Sequence, residues 1–298
     1  MRRRSSAGKI ILGIVLAVLA IAGLFYFGYV FFQVEEVEVA GNGKYTSIYI
    51  EGLADIPDET HMLMLDEEKV KENIESTEPY LEVLNVRKKM PKTVVIEVKE
   101  RQPKALISYA NNYLLTDIDA NVLEIMEERP ETHMPVINGF AINAVALGKQ
   151  ISTDDAFKIT VMSEILTALE NRQLTDSIDQ IDLSDVNNIR LTSVDGLAIK
   201  FGQSDKVVDK IKWIDKMLPT LNKEGRTTGV LDVSSGTFAV YKMDEDEQTV
   251  GEVYNADAGD GTVTEPGTDG TADAGEGTEN PDDSPEGGEN GENTNGDE

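Results

Sequence analysis

The 298-residue sequence contains no cysteine and only two histidines. The absence of cysteine excludes thiol nucleophiles, cysteine-bound zinc and disulfides. His61 and His133 stand alone, without the second histidine one helical turn away that a metal-binding helix needs, and we interpret both as surface residues in loops. The chain also lacks a Gly-x-Ser-x-Gly elbow, a Walker loop and a dinucleotide fingerprint. We therefore predict no catalytic residue, no cofactor and no metal.

One acidic stretch imitates a calcium loop. Its oxygen-bearing residues match EF-hand positions 1, 3, 5 and 12; they are Asp117, Asp119, Asn121 and Glu128. However, Val122 stands where that loop needs a glycine for its sharp turn. We interpret the stretch as an aspartate-rich hairpin turn.

Basic residues are scarce. The chain has 27 Lys and Arg against 55 Asp and Glu, a formal net charge of −28, so its surface repels phosphate and we predict no nucleic-acid partner. Residues 244–298 hold 19 acids and no base, and almost no apolar residue follows Tyr254. Such a composition cannot bury enough surface to fold, and we predict a disordered acidic tail over 244–298.

The sequence has a long uncharged apolar run, Ile10–Phe32. As a helix it would span roughly 35 Å, enough to cross a bilayer. Bases precede the run and acids follow it, which predicts a single-pass type II protein with residues 1–9 in the cytoplasm. A cleaved signal peptide ending near Ala22 is the alternative, although the run is longer than a usual signal core.

Residues 33–102 show the order strand, helix, helix, strand, strand. Alternating valines predict the first strand before Gly41. Thr46 or Ser47 is positioned to cap one short helix, and Asp66 a second. A strand then precedes Pro91, and Thr93 begins the closing strand. This is a small α+β unit with its helices on one sheet face.

Residues 103–243 predict a second, mixed α/β domain. Thr153 with the following aspartates and Ser204 mark the starts of two amphipathic helices among several short strands. The predicted fold class is therefore α+β, with one membrane helix, two exported domains and a tail.

Several segments resemble the FtsQ/DivIB family of bacterial division proteins, with the Gram-positive DivIB type as the best match. The resembling segments are VEVAGN (37–42), MPKTVVIEV (90–98), ERQPKA (100–105), MPVINGF (134–140) and GVLDVSSG (229–236). The resemblance implies that residues 33–102 form a POTRA domain and residues 103–243 the family's β domain.

The same resemblance implies a non-enzymatic scaffold at the division septum. It would join FtsL-like and DivIC-like single-pass membrane proteins and act through them on septal peptidoglycan synthesis. A POTRA module for polypeptide export or envelope assembly is the alternative, although the chain shows neither tandem repeats nor barrel strands. A wall hydrolase or sensor would need a set of catalytic or ligand-binding residues, and the sequence shows none.

The resemblance places partner binding at the membrane-distal end of the β domain. The matching residues are Ser234, Ser235, Phe238, Val240 and Tyr241 on the last strand and turn, with Lys206, Lys210, Lys212 and Trp213 on the preceding helix. We expect a free strand edge there, with both aromatic residues reaching the partner. The opposite arrangement stays open: Phe238 and Val240 point inward and the start of the tail covers the edge.

Glu100, Arg101 and Pro103 are predicted to form the joint between the two exported sheets. Charge and a proline interrupt two apolar strand patterns at this point. Pro103 limits strand pairing and stiffens the chain, which would fix the angle between the domains. An ordinary end-of-strand proline is the alternative.

Overall fold

The computed structural model describes residues 6–131, 133–243 and 252–255. Its first element, α1 (Ser6–Phe31), contains most of the predicted apolar run. Within α1, Ile11–Phe31 has a mean hydropathy of 2.5; in the described part of the chain it is the one helix long and apolar enough to cross a membrane. Residues 1–5 of the predicted cytoplasmic segment lie outside the described residues.

The first domain after α1 has the predicted β-α-α-β-β order. Its elements are β1 (Glu36–Ala40), α2 (Ser47–Ala54), α3 (Glu67–Thr77), β2 (Leu81–Lys89) and β3 (Thr93–Glu100), with a 3-10 turn at Met62–Met64. Strand β3 lies in the middle of the sheet, parallel to β1 and antiparallel to β2. Thr46 and Asp66 cap α2 and α3 through their side chains, as predicted.

The core of this domain lies between the two helices and one face of the sheet. Every second residue of β3 is buried, namely Val94, Ile96 and Val98. Ile50 on α2 and Ile74 on α3 pack against them. The alternation read from the sequence therefore identified the buried face correctly.

The second domain is built on one long mixed sheet. Its strands are β4 (Ala105–Tyr109), β5 (Asn112–Thr116), β6 (Val122–Met126), β7 (Val136–Asn138), β10 (Ile178–Asp182), β11 (Ile189–Ser193), β12 (Ala198–Gly202), β13 (Val230–Asp232), β14 (Phe238–Lys242) and β15 (Glu252–Asn255). The order across the sheet is β15-β14-β13-β12-β11-β10-β7-β4-β5-β6. A separate pair, β8 (Ile142–Ala144) and β9 (Ser152–Thr153), precedes the first long helix.

Two helices make crossovers between parallel neighbours, while the parallel pair β4 and β7 is connected through β5 and β6. Helix α4 (Ala156–Asn171) connects the β7 side to its parallel neighbour β10, and α5 (Val207–Lys223) connects β12 to its parallel neighbour β13. Both helices pack on the main core of the sheet. The opposite face of β4–β7 carries a smaller cluster around Leu106, against which Tyr80 of the first domain packs.

The predicted start of α4 is confirmed, whereas the predicted cap of α5 was wrong. Helix α4 begins directly after Thr153 and the two aspartates, with Asp155 at the N-cap but without a side-chain cap bond. Helix α5 begins after Lys206, which has a left-handed conformation (φ 49°). Ser204 does not cap α5. The Asp205 carboxylate instead accepts a hydrogen bond from Lys210 Nζ at 2.8 Å, so the polar groups at this turn are used to hold a buried lysine.

The structure also corrects the tail. Glu252–Asn255, inside the segment predicted to be disordered, forms β15 and pairs antiparallel with β14. Tyr254 is partly buried against the main core, which gives this short strand an apolar contact as well as backbone bonds. The remainder of the predicted tail, 244–251 and 256–298, lies outside the described residues.

Candidate functional sites

The connection between the two domains passes through a buried arginine. Arg101 is 8 % exposed, and its Nη1 donates hydrogen bonds to three backbone carbonyl oxygens. Two belong to the first domain, Pro79 at 3.0 Å and Leu81 at 3.1 Å. The third is Gly148 of the second domain, at 3.2 Å. One side chain therefore ties the backbones of both domains together.

Two buried carboxylates balance the charge of Arg101. Its Nη2 lies 3.6 Å from Glu75 Oε1 on α3, and its Nε lies 3.5 Å from Asp117 Oδ2 after β5. Nε makes no hydrogen bond, so its approach to Asp117 is an ion pair only. Glu75 also accepts a hydrogen bond from the Val83 amide at 2.9 Å. Since all three charged groups are withdrawn from water, each depends on the others.

The backbones of the two domains approach closely at Gly148. Its φ is +72°, and a Cβ built there would stand 1.9 Å from the Glu75 carbonyl oxygen. Beside it, Lys149 Nζ donates to Glu72 Oε1 at 2.8 Å. This hydrogen bond lowers the pKa of Glu72 and raises that of Lys149. Only glycine fits this contact without moving α3.

The other predicted joint residues have different surroundings. Glu100 Oε1 accepts from the amides of Lys44 and Gly43 in the β1–α2 loop, and these bonds, that of Lys44 first, lower its pKa. Glu100 therefore orders a loop inside the first domain. Pro103 is half-buried in the irregular segment between β3 and β4. Its effect on the angle between the domains stays a prediction.

Sequence reasoning missed the partners of Arg101. Asp117 was considered only as a possible calcium ligand, and neither Glu75 nor Gly148 was predicted to lie at the joint. One sequence feature could have indicated a buried charge: Glu75 directly follows Ile74, which lies on the inner face of α3. Long-range pairing of this kind is set by the fold, because the three residues are distant in sequence.

The calcium-loop stretch forms a turn, as interpreted. Asp117 Oδ1 accepts from the amides of Asp119 at 3.0 Å and Asn121 at 2.8 Å, closing the β5–β6 connection. Within the described ranges, no group of three or more potential ligands is placed to hold a metal ion. His61, interpreted as a surface residue, is half-buried and accepts from the Leu63 amide.

At the distal end of the second domain, β14 presents one side outward and one inward. Phe238 is 39 % exposed and Val240 is half-buried, whereas Ala239 and Tyr241 are buried. The Tyr241 hydroxyl donates to the Thr228 carbonyl oxygen at 2.8 Å. The expectation that Tyr241 reaches outward was therefore wrong, and so was the alternative in which Phe238 points inward.

The serines before β14 shape its entry turn. Ser234 donates to Asp232 Oδ1 from its amide at 2.9 Å and from its hydroxyl at 2.6 Å. The Ser235 hydroxyl donates to the Phe238 carbonyl oxygen at 2.9 Å. Burial raises the pKa of Asp232, but the bonds from Ser234 and the pairing with Lys200 outweigh it and the pKa lies below its usual range.

Only part of the α5 residue set faces solvent. Lys210 is fully buried, donating to the Gln203 carbonyl oxygen at 2.7 Å and to Asp205, and Trp213 is 6 % exposed. The hydrogen bond from Lys210 lowers the pKa of Asp205. Lys210 is therefore a core residue. The expectation that it contacts acidic residues of a partner was wrong.

A basic groove remains between α5 and the turn before β14. It is lined by Asp209, Lys212, Trp213, Lys216, Gly236 and Thr237. Lys206 lies at its end, where its Nζ donates to the Ser235 carbonyl oxygen at 3.2 Å. Phe238 follows directly after the turn. The groove thus carries positive charge in a chain of strongly negative net charge. The Phe238 side chain lies on the opposite face of the sheet from α5, because Ala239 and Tyr241 are the β14 residues that pack in the main core with α5.

The expected free edge of β14 is occupied. Its residues pair with β15 in the register Phe238–Asn255, Ala239–Tyr254, Val240–Val253 and Tyr241–Glu252. The alternative reading, in which the start of the tail covers the edge, describes this pairing correctly. The outermost strand of the sheet at this end is therefore β15.

Comparison with known families assigns both domains. Residues 32–101 match the POTRA domain, FtsQ-type, and residues 105–234 match the model described as cell division protein FtsQ/DivIB, C-terminal. The chain belongs to the FtsQ/DivIB family. The two family models meet across residues 102–104, directly after Arg101 and around Pro103, so the POTRA and β domains of this FtsQ/DivIB protein join at the buried arginine.

Individual relatives carry the same family names. The chain is 28 % identical over 239 residues to a cell division protein FtsQ of Syntrophotalea carbinolica, covering 79 % of this chain and 83 % of that one. It is 23 % identical over 215 residues to a cell division protein DivIB of Clostridium botulinum, covering 72 % and 83 %. This FtsQ/DivIB protein thus has a role in cell division, while the predicted absence of catalysis stays a prediction.

A solved structure also matches in part. It is the major extracytoplasmic domain of DivIB from Geobacillus stearothermophilus, with 13 % identity and a TM-score of 0.30. The match covers 42 % of this FtsQ/DivIB chain and 97 % of that one.

Replacing the buried arginine should destabilise the protein far more than replacing an exposed one. Arg101→Met leaves the Glu75 and Asp117 carboxylates buried without a counter-charge, which costs about 3–5 kcal/mol. Arg87→Met, the control, removes an exposed pair with Glu97 and should cost about 0–1 kcal/mol. Urea unfolding of the detergent-solubilised protein, followed by circular dichroism, measures both.

Neutralising the two acids provides a second control for this experiment. Glu75→Gln and Asp117→Asn keep an acceptor oxygen in place, so adding both to Arg101→Met should restore part of the lost stability. Equal losses for Arg101→Met and Arg87→Met, or no recovery in the triple variant, would contradict the charge network described above.

Proposed function

We propose that this protein is a non-enzymatic scaffold of the division septum. In this proposal α1 anchors it in the cell membrane as a single-pass type II protein, with residues 33–298 outside. The exported domains join FtsL-like and DivIC-like membrane proteins, and that complex acts on septal peptidoglycan synthesis. The observation that carries the proposal is the pair of FtsQ/DivIB family matches directly after an apolar helix.

The charge pattern around α1 supports this orientation. Arg2, Arg3, Arg4 and Lys9 precede the apolar run, and Glu35 and Glu36 follow it. Basic residues are retained on the cytoplasmic side of a membrane helix. The exported domains then lie where septal wall synthesis takes place.

Depletion of the protein should produce filamentous cells, and a fluorescent fusion should collect at the septum. A scaffold that assembles division proteins is needed at that place, whereas an export or envelope-assembly module is needed around the whole cell. Microscopy of a depletion strain that carries the fusion measures both. Uniform membrane fluorescence together with normal cell length would favour the export module.

We place the partner-binding surface at the outward side of β14 and the groove beside α5. Phe238 offers an exposed aromatic anchor, and Val240 adds a half-buried apolar contact two residues on. Lys206, Lys212 and Lys216 supply positive charge in the α5 groove, which borders the turn that leads into Phe238. The partner that fits is a segment with an apolar strand and acidic flanks, which we assign to the DivIC-like protein.

The same surface requires β15 to yield. A partner strand that pairs with β14 needs the backbone groups that β15 now uses. Strand β15 has four residues and pairs with one neighbour only, so it has few backbone bonds to lose. We therefore propose that β15 and the partner strand compete for β14.

A charge placed at the aromatic anchor should weaken capture of the DivIC-like protein. Phe238→Asp removes the apolar contact and sets a negative charge beside the expected acidic flanks, which we expect to cost about 2 kcal/mol, roughly a thirtyfold rise in Kd. Val194→Asp is the control, since Val194 is 52 % exposed and lies in the β11–β12 turn. Interferometry with detergent-solubilised partners, after checking equal Tm, measures both; equal affinities of the two variants would remove this surface.

Removing β15 should strengthen partner binding. A chain that stops after Met243 lacks the competing strand, whereas a control chain that stops after Glu265 keeps it and loses only the later acids. If β15 competes, the shorter chain has the lower Kd at both low and high salt, because the effect comes from backbone pairing rather than charge. Weaker binding by the shorter chain would show that the partner instead uses β15.

A further inference from the structure

The POTRA domain is attached to the end of α1 by backbone hydrogen bonds. The Phe32 carbonyl oxygen accepts from the Met62 amide at 2.7 Å, and the Val34 amide donates to the Thr60 carbonyl oxygen at 2.9 Å. Between them, Gln33 and His61 form an antiparallel bridge. The segment 60–62 is therefore held against the first residues after α1, with no free linker between helix and domain.

Aromatic contacts of His61 hold the segment 60–62 beside the last turn of α1. The His61 ring stacks on Tyr29 with centroids 5.3 Å apart, and it lies 6.2 Å from the ring of Phe32. Tyr29 precedes the last helical residue by two positions, about 3 Å along the helix axis. His61 thus lies beside the final turn of α1, where a membrane helix places tyrosine and phenylalanine at the lipid interface.

The turn that follows His61 exposes two large apolar side chains. Leu63 is 68 % exposed and Met64 is 80 % exposed, while their neighbours Met62 and Leu65 are 0 % and 7 % exposed. Because Met62 and Leu65 are inserted in the POTRA core, the turn is fixed and the two side chains between them project away from the domain. The His61 ring accepts from the Leu63 amide at 3.3 Å, which holds the turn further.

We infer that Leu63 and Met64 insert into the outer lipid interface of the membrane that α1 crosses. This inference rests on the proposed membrane anchoring. The surface is continuous with the aromatic end of α1, and two adjacent apolar side chains gain free energy by leaving water there. Asp58, Glu59 and Asp66 flank the turn, so the attraction comes from apolar contact and not from anionic headgroups.

The most exposed apolar residue of α2 lacks this combination. Ile48 on α2 is 81 % exposed, and its neighbour Tyr49 stacks on Tyr45 and donates to Glu78 at a site away from the α1 connection. Isolated exposed apolar residues are ordinary on protein surfaces. The fixed contact with the end of α1 distinguishes the Leu63–Met64 turn. The consequence is a second membrane contact, which holds the POTRA domain against the bilayer.

The absence of native cysteine allows a direct test. Leu63→Cys and Met64→Cys variants of the full-length chain, each labelled with an environment-sensitive fluorophore, are reconstituted into phosphatidylcholine vesicles that contain doxyl-labelled lipid. Phe27→Cys, within α1, is the positive control, and Val194→Cys in the β domain is the negative control. We expect the labels at 63 and 64 to be quenched severalfold more strongly than the label at 194.

Three outcomes are informative. Quenching at positions 63 and 64 no stronger than at 194, with strong quenching at 27, overturns this inference and leaves the membrane anchor intact. No quenching at 27 overturns the anchor and, with it, the inference. If quenching at 63 is strong, Met64→Asp should reduce it, whereas Ile48→Asp should leave it unchanged; equal effects of these two changes also contradict insertion of this turn.

Discussion

The arrangement of the POTRA and β domains depends on one buried cation. Arg101 donates to backbone oxygens on both sides of the joint, and Glu75 and Asp117 reach it from opposite domains. A charge withdrawn from water is tolerated only when its partners are in place. Because the partners come from both domains, the arginine is satisfied in one relative arrangement, and this requirement orients the β domain with respect to the POTRA domain.

Local chemistry explains which parts of the fold could be predicted from sequence. The period-two pattern of β3 identified its buried face, and Thr46 and Asp66 marked helix starts through side-chain caps that need only neighbouring residues. The same reasoning failed before α5, where Asp205 binds Lys210 and the helix starts after a left-handed residue. At this turn Asp205 could cap the helix or pair with a lysine. It pairs with Lys210, because a buried ammonium group needs a carboxylate partner.

The candidate partner surface shows the limit of strand alternation. Alternation places Phe238 and Tyr241 on opposite sides of β14, so the expectation that both reach the partner contradicted the strand pattern. Alternation alone cannot say which of the two sides faces the core. The Tyr241 ring lies under the Arg226 guanidinium, and its hydroxyl donates to the Thr228 carbonyl oxygen. Nothing in the sequence before Tyr241 indicates these two contacts. Strand β15 was missed for a related reason, since Val253 and Tyr254 are too few to stand out within acidic surroundings.

The long mixed sheet has a mechanical consequence. The joint lies beside β4–β6, at one end of a sheet of ten strands, and β14 and β15 lie at the other. With neighbouring strands about 4.8 Å apart, the two ends are separated by roughly 40 Å in the direction of the backbone hydrogen bonds. A protein that pulls on the distal edge perpendicular to the strands would load these bonds one strand at a time. The sheet would then peel from its outer edge while the joint stayed closed, so tension on the distal edge would detach the outer strands before it separated the domains.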